Sequence, residues 1–304
     1  MAITPRTGVS RDGLPLSLSR APSADMATFV ARYFITIFDQ PADSVLEDFL
    51  LHETAYIRVP TIGRWATRID GEWVEYEGPM LFGAQRKRFP VRCTGPVVAA
   101  GFAIRPAAWR AFSTERADLI ADRLTTIGGS WGDRLRWACE NTYDHDQTFA
   151  RLETVVREQM EWATVVPNPI CEQFEATARA DPVRNVRDIV RDLNTTPRRL
   201  DHLVRDHFGH LPKTVLRRSR FLDMAAVMRG MAVPDADALA RMRFYDASHL
   251  NREFRLFVDM TPAQFERTPT PLMTPGLEIR QQRKLIDRAT AAPAPWLATE
   301  QPPT

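Results

Sequence analysis

Cysteine is scarce in this sequence. The three present, Cys93, Cys139 and Cys171, are an odd number without a C-x-x-C pair, which excludes a disulfide framework and a zinc cluster. No apolar run approaches the roughly 18 residues that a spanning helix needs, and the polar N-terminus, with Arg6, Arg11 and Asp12, lacks the apolar segment of a signal peptide. No membrane partner is expected, and a cytoplasmic location is. Only 14 glycines stand beside 44% hydrophobic residues, so the composition is neither fibrous nor wholly disordered. Lysine is nearly absent: all but three of the 40 basic residues are Arg, the exceptions being Lys87, Lys213 and Lys284. The planar fork of Arg suits phosphates and guanine edges better than an ammonium does.

Length suggests two domains, and the pattern changes character once. Before about residue 105 apolar and polar residues alternate; after it they recur with helical period. Trp65–Ile69 and Trp73–Tyr76 flank Asp70-Gly71, a dipeptide suited to a tight hairpin. Phe89–Cys93 and Val97–Ile104, around Thr94-Gly95-Pro96, suggest a second hairpin with a longer turn, and an antiparallel sheet overall. Pro106 opens a helical stretch. Leu152, Val155, Val156, Gln159 and Trp162 then mark an amphipathic helix that ends before Pro167, apt to bury against the sheet or a partner chain. Residues 1–24 read as a flexible tail, and 269–304, with seven prolines, as a Pro-rich tail.

The formal net charge of +2 conceals an asymmetry. Residues 1–178 hold 19 basic and 23 acidic residues, whereas 179–268 hold 17 basic and 12 acidic. In that basic block Val186, Ile189, Val190 and Leu193 share one helical face, ending at Asn194-Thr195-Thr196. Thr196 is a good N-cap and Pro197 a good first helical residue. The next helix runs from Pro197 to Phe208 and stops at Gly209, with Leu200, Leu203, Val204 and Phe208 inward and Arg198, Arg199, Asp201, His202 and Arg205 outward. Two helices joined by three polar residues are a helix-turn-helix. The same logic returns about 45 residues later: Ala236–Met242 as a first helix, Arg243-Phe244-Tyr245 as a turn, and Asp246 capping a helix in which Leu250, Phe254 and Phe257 point inward. Between the copies, Pro212–Met228 reads as a long helix whose Arg217 face suits a phosphate backbone, and Thr261-Pro262 starts a last short helix.

Gly209-His-Leu-Pro212-Lys213, Arg220-Phe221 and Phe244-Tyr-Asp246-Ala-Ser248-His249-Leu250-Asn-Arg252-Glu-Phe254-Arg, ending Thr261-Pro262-Ala-Gln-Phe265, resemble the C-terminal DNA-binding domain of AraC/XylS-family transcriptional regulators. The resemblance covers about 90 residues strongly; the strand-rich first part is only weakly similar to the divergent N-terminal domains of such regulators. It implies two helix-turn-helix units in one chain, joined by a linker helix and reading successive major grooves. By motif, the positions that resemble the family's base contacts are Arg198, Asp201 and His202 in the first unit and Ser248, Asn251 and Arg252 in the second. Arg243 departs from the glycine usual in the second turn; if that backbone position is left-handed, Arg costs about 1 kcal/mol relative to Gly.

The fold class expected is therefore α+β. A β-rich sensor or dimerisation domain (25–165) precedes an all-α double helix-turn-helix domain (170–268), and the protein acts as a bacterial transcription regulator, activator or repressor, rather than an enzyme. The competing reading, a DNA-linked enzyme with its site in the first domain, lacks residues: only His52 and His145 are available as metal ligands there. Of the thiols, only Cys93, beside Arg92, has a basic neighbour; no catalytic residue, cofactor or metal is expected. Double-stranded DNA is the expected partner. The further candidates are a small-molecule or anionic effector, a second copy of the chain and RNA polymerase. For the effector, strand alternation over 85–92 puts Arg86, Arg88 and Arg92 on one face, and Trp65, Trp73 and Trp109 are candidate lining residues.

Overall fold

Alternating apolar residues in the first part build one antiparallel sheet in the computed structural model, which describes residues 2–3, 17–231 and 247–290. Its strands are β1 (Ala2–Ile3), β2 (Ser17–Arg20), β3 (Val30–Phe38), β4 (Val45–Leu50), β5 (Tyr56–Ile69), β6 (Glu72–Tyr76), β7 (Met80–Phe82), β8 (Phe89–Ile104) and β9 (Leu124–Thr126). They lie in the order β1-β2-β3-β8-β5-β7-β9, with β4 also on β8 and β6 on β5. The hairpin at Asp70-Gly71 is there, pairing Ile69 with Glu72 and Trp65 with Tyr76.

The second hairpin is not. Residues 89–104 form one strand, paired with β5 along one edge and with β4 and then β3 along the other. Thr94-Gly95-Pro96 bends the strand instead of reversing it. Gly95 has φ +72°, a left-handed angle that glycine adopts without the Cβ penalty, and its N–H donates to Ser44 O at 3.0 Å. The turn signal was real, but pairing on both edges makes it a bend.

Alternation along β8 divides two cores. Val98, Ala100, Phe102 and Ile104 face one, together with Leu152, Val155 and Val156 of the helix His145–Ala163. Val91, Cys93, Val97, Ala99 and Ala103 face the other, with Phe34, Tyr56, Trp65 and Phe82. In the helix His145–Ala163, Met160 is the inward residue of the last turns, while Trp162 is 83% exposed. Sequence spacing put Trp162 on the buried stripe, one residue pair out of phase with the packing.

After the 3₁₀ turn Pro106–Ala108, the helices are α1 (Trp109–Phe112), α2 (Ala117–Ile120), α3 (Gly129–Ala138), α4 (His145–Ala163), α5 (Pro169–Ala180), α6 (Val186–Asp192), α7 (Pro197–Phe208), α8 (Pro212–Met228), α9 (Ala247–Val258), α10 (Pro262–Arg267) and α11 (Met273–Thr290). Two stretches read as tails carry structure: β2 lies within 1–24 and α11 within 269–304. Prolines 269 and 271 precede α11 and Pro275 falls in its first turn, where a missing N–H costs nothing. The expected helix Ala236–Met242, the turn at Arg243 and the cap Asp246 lie outside the described residues. Among the described residues, no helix is long and apolar enough to cross a membrane.

Candidate nucleic-acid interface and effector cavity

The first helix-turn-helix unit is built by its caps. Asn185 Oδ1 accepts from Arg187 N at 2.9 Å to start α6, and Thr196 Oγ1 accepts from Arg199 N at 3.2 Å to start α7, with Pro197 at its first position. Ile189, Val190, Leu200, Val204 and Phe208 then bury against Phe174 of α5 and Val215 and Leu216 of α8. This leaves Arg198, Arg199, Asp201, His202 and Arg205 exposed together on α7, where the sequence put them. Gly209 ends α7 at φ +78°, and a Cβ there would stand 3.1 Å from Ala117 O.

In the second unit Phe254 and Phe257 of α9 pack with Phe221 of α8 and Phe265 of α10. Thr261 and Gln264 close a reciprocal capping box at α10. Ser248, Asn251 and Arg252 are exposed on α9. His249 is half-buried, its Nε2 3.5 Å from Glu253 Oε1.

The arginines of α8 are not the open cationic face expected. Arg217 Nη2 is 2.7 Å from Oε1 of the buried Glu253, tying α8 to α9. Arg218 is 0% exposed: its Nη1 donates to Gln85 O at 2.5 Å and its Nη2 to Glu53 O, both in the sheet domain. Burial pulls its guanidinium down to about 10. The helical period of α8 gives no sign of which face a second domain will cover.

That docking is extensive. His207 Nδ1 meets Pro106 O at 2.8 Å and His210 Nε2 meets Ala84 O at 3.1 Å. Burial holds both rings below their ordinary range, His210 at about 3. Arg105 pairs with Glu175 at 2.7 Å, and Arg110 with Asp206 of α7. Arg280 of α11 joins Glu53 at 2.7 Å and Asp223 at 2.5 Å, and Lys284 joins Asp223 at 2.8 Å. Burial alone would raise the Glu53 carboxyl, but Arg280 and Arg218 hold it down to about 2.

Between sheet, α7, α8 and α11 lies a cavity of about 100 Å³, with Leu51, Phe208, Val215, Leu222 and Leu277 among its apolar walls. Arg32, His52 and Glu53 line it, as do Arg179, Arg280 and Arg283. A smaller recess beside it is lined by Arg32, His52, Phe34 and Arg58. Arg58 is 3% exposed, 5.1 to 5.7 Å from the rings of Phe34, Tyr56 and Trp65, and its Nε and Nη1 meet no acceptor among the described residues; nor do Arg32 Nε and His52 Nε2. Burial lowers Arg32 to about 10 and Arg283 to about 9, and burial, with the neighbouring Arg32 and Arg58, holds the His52 ring well below its ordinary range. The signal for Arg58 was available: it is a lone charge within the otherwise apolar strand run Ala55–Val59.

The effector residues read from sequence do not converge. β8 begins at Phe89, so Arg86 and Arg88 lie in the loop before it, sharing no strand face with Arg92. Arg86 is 3.5 Å from Asp122, Arg88 2.9 Å from Asp259, and Arg92 2.5 Å from Glu47 with its guanidinium over Trp73. Trp65 and Trp109 are buried in different cores, and Trp109 Nε1 donates to Glu115 O. All three thiols are buried, and burial pushes each up to about 12, Cys93 included. Among the described residues, no three of His, Cys, Asp and Glu are placed to hold a metal ion.

A basic, outward face on α7, held between α6 and α8 by a buried apolar seam, defines a helix-turn-helix DNA-binding domain joined to a sheet domain. Residues 189–268 match the helix-turn-helix domain family. No curated protein matches the sequence. Among solved structures it is similar to ToxT from Vibrio cholerae, at 11% identity and TM-score 0.45 over 77% of this chain and 97% of that one. It is also similar to unsaturated fatty acid bound wild-type ToxT from Vibrio cholerae, at 11% identity and TM-score 0.46 over 79% and 97%. The AraC-like transcriptional activator CuxR is similar at 13% identity and TM-score 0.30 over 73% and 85%.

Proposed function

We propose that α7 and α9 read two successive major grooves and that an organic acid with an apolar body, held between the sheet domain and the reader, sets how well they do so. Arg198, Asp201, His202, Ser248, Asn251 and Arg252 are the base-reading residues of this proposal, with Arg199 and Arg205 on flanking phosphates. Its action is binding in the cytoplasm, without a catalytic step. A second copy of the chain and RNA polymerase complete its partners; the outward Trp162 of α4 offers a second copy an apolar contact.

The observation that carries the effector is Arg32 and His52, half-buried in a cavity also lined by Phe208 of α7 and Val215 and Leu222 of α8, with the buried Arg58 in the recess beside it. Buried guanidiniums without acceptors are costly, and a carboxylate would satisfy them. Because the same cavity touches both domains, its occupant shifts their docking; a coupling of about 1–3 kcal/mol is the ordinary scale of such control. The fatty acid that one ToxT structure names is of the same chemical class, but the reading rests on the cavity's own cations.

The experiment is a melt of the full chain against aliphatic and aromatic carboxylates and their uncharged amides. Acids should raise the melting temperature of the wild type and leave an Arg32→Met/Arg58→Met variant unmoved. Equal effects of acid and amide, or of wild type and variant, would remove the effector reading. DNA reading is tested separately by footprinting, where a protected region spanning two grooves about 34 Å apart is required.

A further inference from the structure

The sheet domain brings its own cations to the edge of the recognition helix. Its loop between β7 and β8 is pinned at several points: His210 Nε2 on Ala84 O at 3.1 Å, Arg218 Nη1 on Gln85 O at 2.5 Å, Arg86 N on Asp122 Oδ1 at 2.6 Å and Arg88 N on Phe257 O at 2.7 Å. So held, the loop leaves Arg86 and Lys87 exposed. Arg86 lines a surface groove with Arg205 of α7 and Thr214 of α8, and Lys213 is exposed one residue before Thr214. The carboxylates here are Asp118, bound by Arg116 at 2.5 Å, Asp122, beside Arg86, and Asp206, which acts on Arg116 and is itself held by Arg110. With Arg116 and Arg110 counted, six cations therefore meet three carboxylates at this junction among the described residues, where the average charge of the sheet domain is acidic.

We propose that this groove seats the phosphodiester backbone flanking the major groove that α7 enters, so that the sheet domain contacts DNA directly through Arg86 and Lys87. Length supplies the geometric reason. At about 1.5 Å per residue the twelve residues of α7 span roughly 18 Å, whereas the major groove is about 12 Å wide. With its N-terminal residues on base edges, as such helices dock, the C-terminal end of α7 passes the groove wall. Arg205, Gly209 and the basic groove lie at that end. Arg86 and Lys87 reach the duplex only while their loop stays docked on His210 and Arg218. Any change in docking therefore alters affinity for every sequence alike.

The test uses the full chain and a duplex that it selects from a random pool, beside a scrambled duplex of equal length. Affinity is measured across a salt series for wild type, Lys87→Ala, Arg86→Ala/Lys87→Ala and Arg198→Ala. Each lost phosphate contact should make the log–log salt slope shallower by about 0.9, equally on both duplexes. Lys87→Ala leaves the Arg86–Asp122 pair in place and so decides the matter if the double variant fails to fold. An unchanged slope in a variant that melts like wild type overturns the proposal, as does a loss confined to the selected duplex, which would mean base reading. If Arg198→Ala alone loses selectivity, α7 reads DNA and only the backbone groove fails; if Arg198→Ala is also neutral, both readings fall.

Discussion

Replacing Asp48 by Asn should make the protein more stable at neutral pH, and progressively less so towards acid. Asp48, on β4, accepts Leu272 N at 2.7 Å just before α11, and burial raises its carboxyl from the ordinary 3.8 to about 6. A raised carboxyl favours folding below its unfolded value, and that contribution is lost as pH rises through about 6. Each pH unit of displacement is worth about 1.4 kcal/mol, so the ionised group would cost about 3 kcal/mol at full burial. The residue keeps partial exposure, which reduces this. Between about pH 5 and pH 8 the linkage integral leaves about 1 kcal/mol. Asn cannot ionise, and its amide oxygen still accepts from Leu272. Urea unfolding of wild type and Asp48→Asn at the two pH values isolates the effect, since every other titrating group cancels in the difference. The advantage of the variant should grow by about 1 kcal/mol from pH 5 to pH 8. A difference that is flat, or that shrinks with rising pH, refutes the reasoning.

Gly209→Ala forces a side chain into φ +78° and within 3.1 Å of Ala117 O; a loss of about 1–2 kcal/mol is expected by thermal melting. Arg218→Ala leaves Gln85 O and Glu53 O without their donor; it should loosen the docking of the two domains, read as faster proteolysis between α4 and α5 and faster amide exchange at 83–88. Arg198→Ala and Arg252→Ala should each weaken the selected duplex by about 1–3 kcal/mol with less effect on scrambled DNA, measured by competition binding.

Local chemistry made the reader legible. Thr196, Pro197 and Gly209 carry their structural meaning in their own side chains or their lack of one, and a 3.6-residue period put Arg198, Arg199, Asp201, His202 and Arg205 on the outer face of α7, where they lie. The Asp70-Gly71 hairpin was legible for the same reason, because its turn is closed by neighbours in sequence. Partners distant in sequence decided the rest. Thr94-Gly95-Pro96 reads as a turn until β3, β4 and β5 hold both edges of a single strand. Arg217 reads as part of an open cationic face until Glu253 claims it, and its neighbour Arg218 is claimed by the carbonyls of residues 53 and 85. Arg86, Arg88 and Arg92 scatter because each meets a carboxylate from 36, 171 or 45 residues away. Burial is a property of the assembled surface: the cavity that Arg32 and His52 line exists only where the sheet meets the reader and α11, a junction that no single stretch of sequence contains.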